Sequence, residues 1–73
     1  MPVEIKKKEA KLTGVLGIEE AEELFNFLVD KKKPKVDLSE VEHLHTACLQ
    51  LLLIFKPDVV ALPQDKELAL WFL

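Results

Sequence analysis

The chain has one cysteine, Cys48, so no internal disulfide can form. A reducing compartment suits that composition. Glycine and proline are scarce, at 2 and 4 of 73 residues, while 49% of residues are apolar and 32% are charged. Such a composition argues against disorder and for a globular fold. No apolar run reaches the roughly 18 residues of a membrane span, and the N-terminus carries no apolar signal-like region. A cytoplasmic location is expected on those grounds. Basic excess is missing as well. With 13 acidic residues against 10 basic ones the net charge is −3, which speaks against a nucleic-acid footprint. Lys6-Lys7-Lys8 and Lys31-Lys32-Lys33 read as solvated ends of elements. Phosphate-binding glycine loops, G-x-S-x-G and H-E-x-x-H are absent. Neither an enzyme nor a bound cofactor is expected.

At 73 residues the chain is expected to form a single domain over residues 1–73. A chain this short buries only about 60% of the surface its unfolded form exposes. Residues 3–13 read as a weak strand or short hairpin, with Ala10 and Leu12 alternating against Glu9, Lys11 and Thr13. Gly14 and Gly17 then mark a tight connection. Ile18, Ala21, Leu24, Phe25 and Leu28 share one helical face, which predicts a helix over residues 18–32. Acids load its first turns, the lysines at 31–33 its last, and Pro34 stops it.

Residues 35–38 read as a strand, and Val41 and Leu44 as a loop dipping into the core. Thr46 opens an apolar helix over 46–56 that needs cover on more than one side. Residues 59–62 form a buried parallel strand, and Asp65 caps a last helix over 65–72. The resulting order is β-α-β-α-β-α. The fold class is therefore α/β: a short, mostly parallel sheet with about three helices, in two or three layers, and with strands 35–38 and 59–62 paired.

Val36-Asp37-Leu38-Ser39-x-Val41, followed by Leu44-x-Thr46-Ala47-x-Leu49 leading into an apolar helix, resembles the STAS family (sulphate transporter and anti-sigma factor antagonist). Leu12-Thr13-Gly14-Val15-Leu16 is similar to that family's segment before the first helix, and Ala21, Leu24 and Leu28 to the helix's core face. The resemblance covers about residues 12–62. It departs at His45, where the family usually has Asp, and at Cys48, where it usually has Gly or Ala.

The resemblance implies a protein-binding module. Its expected partner is an anti-sigma-type serine/threonine kinase, met through His43, His45, Thr46 and Gln50, with Thr46 as the phosphorylation candidate. The alternative is a constitutive subunit of a lipid-transport ATPase complex. Small free-standing members associated with bacterial chemotaxis or signalling are similar too.

The physics leaves two roles for Thr46. A hydroxyl at a helix N-terminus favours a phosphate, and it equally serves as an N-cap bonded to the N–H of Cys48 or Leu49. His43, His45 and Cys48 offer an H-x-H-x-x-C arrangement of ligand types, but the spacing matches no established zinc module and no metal is expected. The apolar end, Leu68 to Leu73, either completes the core or forms an association surface through Trp71 and Phe72. Either a homodimer through apolar helix surface or a monomer with one exposed apolar patch is expected, involving the C-terminal helix, the helix at 47–55, or both.

Overall fold

The computed structural model describes residues 3–72. Its elements run β1 (Val3–Lys6), β2 (Glu9–Leu16), α1 (Ile18–Asp30), β3 (Lys35–Leu44), α2 (Thr46–Phe55), β4 (Asp58–Ala61) and α3 (Lys66–Leu70). The fold is α/β, with a mixed, mostly parallel four-stranded sheet in the order β1-β2-β3-β4. The N-terminal segment is the hairpin: β1 pairs antiparallel with β2, and Lys7 at the turn has φ 51°. β2–β3 and β3–β4 are parallel, and the pairing of Lys35 with Asp58 and Val36 with Val59 joins the two strands expected to pair.

Strand order equals chain order, so the crossovers through α1 and α2 step in the same direction. Two such crossovers of one hand place their helices on the same sheet face. α1 and α2 do meet, Phe25 and Phe55 edge to face with ring centroids 5.9 Å apart. The opposite sheet face is polar. Glu4 stands across from Lys11 and Lys6 across from Glu9, and Lys11 reaches Glu40 at 2.6 Å. Cross-strand pairs of opposite charge suit a solvated face. The sheet and its two long helices therefore make two layers.

Between those layers lie Ala10, Leu12 and Leu16 of β2, Leu24, Phe27 and Leu28 of α1, Val36, Leu38, Val41 and Leu44 of β3, and Cys48 and Leu52 of α2. The residues of β3 buried in this cluster fall at 36, 38, 41 and 44, a spacing that changes from two to three. Two irregularities account for it. The register moves from Lys11↔Asp37 to Thr13↔Glu40, and from Gly14↔Val41 to Val15↔His43, so β3 twice contributes one residue more than β2. Each bulge resets which side chains face inward. Asp37 braces the first, because the Ser39 N–H and Oγ both donate to its Oδ1 at 2.9 and 2.7 Å.

Several expected boundaries move. β2 runs on to Leu16, and Gly14 lies inside it with φ 68°, a left-handed conformation that only glycine takes without strain. The Val41–Leu44 segment is strand, not loop. α1 ends at Asp30, so Lys31, Lys32 and Lys33 follow the helix and do not form its last turn. Lys33 has φ 52°, a sharp reversal ahead of Pro34. α3 is short, at five residues, and Asp65 caps it by accepting from the N–H groups of Glu67 and Leu68 at 2.9 and 3.3 Å.

Candidate functional site

The C-terminal end of β3 and the first two turns of α2 carry all four expected contact residues, and the geometry there begins in the backbone. The His45 N–H donates to the Leu16 carbonyl at 2.8 Å, tying the junction to the end of β2. His45 is extended, at φ −60° and ψ 147°, and its Nδ1 accepts the Ala47 N–H at 3.0 Å. His45 is thus the N-cap of α2. The expected capping role of Thr46 falls to its neighbour, because the helix begins with Thr46 itself and the side chain one residue earlier is the one that curls over the open N–H groups. An imidazole whose Nδ1 accepts a hydrogen bond carries its proton on Nε2.

Thr46 is exposed at the first position of α2, and Gln50, exposed one turn later, stands on the same helical face. His43 and His45 are exposed as well. The four residues form a polar margin around an otherwise apolar helix. His43 opens toward the C-terminal segment. It lines a cleft of about 210 Å³ with Glu42, Leu44, Asp65, Glu67, Leu68 and Trp71. A second cleft, about 460 Å³, continues past Ser39, Glu40, Val41, Glu42, Gln64 and Asp65. Both exist because β4 pairs only with Lys35 to Asp37, so residues 62–72 run beside the second half of β3 where a longer β4 would have paired.

Cys48 is fully buried, and its Sγ donates to the Gly17 carbonyl at 3.5 Å. Burial, with a smaller contribution from the Glu20 carboxylate, pushes the thiol above its ordinary pKa. It is a packing residue on the core side, while His43 and His45 face out. The H-x-H-x-x-C residues do not converge, and among the described residues no group of three or more His, Cys, Asp or Glu side chains is placed to hold a metal ion.

At the other end of the chain, Trp71 is 59% exposed and Leu70 67%, while Leu68 and Phe72 rest against the core. Leu68 and Phe72 take the expected core-packing role, and Leu70 and Trp71 stay on the surface. Glu42 and Glu67, beside His43 and Trp71, belong to the same cleft and were not legible as a group; only the exposed aromatic near the chain end hinted at a surface there.

No family model and no curated protein matches the chain. No described helix is long and apolar enough to cross a membrane.

Proposed function

We propose that the protein is a non-enzymatic regulatory module of the STAS type that docks on a partner protein through His43, His45, Thr46 and Gln50. The partner is an anti-sigma-type serine/threonine kinase, and Thr46 is its phosphorylation site. The observation carrying this reading is the position of Thr46, exposed at the first residue of α2 next to a side chain that already caps the helix. Its hydroxyl is free of the capping task and open to a kinase. A phosphate there lies at the positive end of the helix dipole.

The segments that carry the STAS resemblance support the reading by where they fall. Leu12 to Leu16 lies in the strand before α1, Val36 to Val41 in β3, and Leu44 to Leu49 across the β3–α2 junction. The Asp37–Ser39 pair, which belongs to the segment carrying the resemblance, braces a bulge in β3, so its role is architectural.

Phosphopeptide mapping of the protein isolated from its own cells tests the switch. Phosphate on Thr46, lost in Thr46→Ala, is the expected result. A second reading keeps the same surface and removes the switch: a constitutive subunit of a lipid-transport ATPase complex, with Thr46 as a contact. Unmodified Thr46 together with stable co-purification of an ATPase would favour it.

A further inference from the structure

Charges alternate in sign across the polar face of the sheet. In one row Lys6, Glu9, Lys35 and Asp58 are successive partners from β1 to β4. In the next row Glu4, Lys11 and Asp37 follow one another. Both rows break off at β1, an outer strand with no partner on its free side among the described residues. A further strand would continue them if it set an acid beside Lys6 and a base beside Glu4. The backbone of that edge is directed outward. The two-residue turn at Lys7-Lys8 closes on the Lys6–Glu9 pair, which in such a turn is the hydrogen-bonded one. The N–H and C=O of Ile5 therefore point away from β2, to the open side. Its side chain lies on the helix side, 47% exposed, in a groove of about 320 Å³ shared with Glu23, Asn26, Phe27, Asp30 and Lys31.

We propose that β1 pairs antiparallel with β1 of a second copy about a two-fold axis at Ile5, joining the two sheets into one. The strand's own sequence selects that occupant. With Ile5 opposite the copy's Ile5, Glu4 stands opposite the copy's Lys6 and Lys6 opposite its Glu4, so both rows run on without a break in sign. No neighbouring register does this. An axis at Glu4 or at Lys6 sets that residue against itself. A slip of one residue sets Glu4 opposite the copy's Ile5, the polar face of one sheet beside the helix side of the other. Parallel pairing in register sets like charge against like. At the chosen axis the two Ile5 residues exchange their backbone hydrogen bonds, and their side chains meet in the grooves under the two α1 helices. Those helices run antiparallel, which brings Asp30 and Lys31, paired at 3.4 Å, level with the copy's Glu23. That meeting adds one acid per copy to the seam and limits affinity, as does the short strand. Association here is independent of the partner assigned to Thr46, and it leaves Trp71 and α2 outside the seam.

Sedimentation from micromolar to millimolar concentration, with folding checked by circular dichroism, tests it. Wild type is expected to dimerise. Ile5→Pro removes an N–H that β2 does not use, at an edge where proline is tolerated, and should raise the dimer dissociation constant at least about tenfold. Glu4→Lys sets lysine against the copy's Lys6, and Lys6→Glu sets glutamate against its Glu4, so each variant alone should be monomeric. Mixing the two should restore a dimer, because every pair across the seam is then of opposite sign. Hydrogen exchange on wild type reads the same seam without a substitution: the Ile5 amide should exchange more slowly as concentration rises. A wild type that stays monomeric overturns the proposal. So does a dimer indifferent to Ile5→Pro, a mixture of the two charge variants that stays monomeric, or an Ile5 amide whose exchange ignores concentration.

Discussion

The Nδ1 of His45 accepts the backbone N–H of Ala47 at 3.0 Å, so α2 is capped by an imidazole and the neighbouring Thr46 hydroxyl is left outside the cap. The two side chains are adjacent in sequence and divided in task. One holds the helix start and the other is presented on it.

That division is measurable in stability. His45→Ala should cost about 1 kcal/mol, the usual loss when an N-cap is removed. Thr46→Ala should stay within about 0.5 kcal/mol of wild type, as exposed substitutions without a structural role do. His45→Asn, which offers an oxygen acceptor in the same place, should recover most of the loss. Urea unfolding midpoints of the three variants decide the matter, and a larger cost at Thr46 than at His45 would return the cap to the hydroxyl.

Asp37 gives a pH signature. The Ser39 N–H and hydroxyl both donate to its carboxylate and hold it below the usual carboxylate pKa. A depressed folded value means the unfolded chain takes up this proton first. The contribution of Asp37 to stability is therefore complete above the ordinary value of about 3.9 and is lost as pH falls through the lower folded value. An NMR titration of the Asp37 side-chain carbon should show a midpoint below the ordinary one in wild type and a shift back toward it in Ser39→Ala.

Cys48 behaves in the opposite sense. Burial raises its thiol pKa, so the folded state holds the proton over a range where the unfolded thiol has lost it. The stability this confers is complete below the unfolded value of about 8.5 and declines as pH rises through the higher folded one. A thiol reagent should therefore leave the native protein unlabelled near neutral pH and modify it at the rate of unfolding. Rapid labelling of the native state would contradict the burial.

Gly14 is the position where a β-carbon is least welcome. Its φ of 68° lies inside β2, although a methyl group at this position would have room: its nearest neighbour would be Glu42 Oε2 at 3.9 Å. Gly14→Ala should thus destabilise through backbone strain alone, by about 1–2 kcal/mol, read from the thermal or urea midpoint. A neutral substitution would show that the bulge relaxes at no cost.

Much of this fold was legible because period and punctuation agree. The face built from Ala21, Leu24 and Leu28 predicts α1, and Pro34 and Pro57 separate the helices from β3 and β4. The second half of β3 was not, because its inward residues Leu38, Val41 and Leu44 recur every third position. Three is neither the strand period nor a helix, and it arises only once two bulges form against β2. Gly14 misled for the same reason, reading as a stop where the backbone turns left-handed within a strand. At the site, the exposure of Thr46 and Gln50 follows from the helix start, which was readable, and that of His43 and His45 from the end of β3, which was not. The cap at His45 was hidden, since a Thr at a helix start is the commoner signal and the choice between adjacent residues depends on backbone angles.

The claim that the β3–α2 junction is the docking surface is tested most directly by mapping the contact on the folded protein. Any kinase or ATPase found to co-purify with it should be titrated into isotope-labelled protein while the backbone amides are followed by NMR. The account predicts shifts clustered from Glu42 to Gln50, and weaker binding for Thr46→Glu, whose charge falls in the middle of that surface. Shifts confined to the charged sheet face around Lys6, Lys11 and Glu40, with Thr46→Glu binding as wild type does, would contradict it.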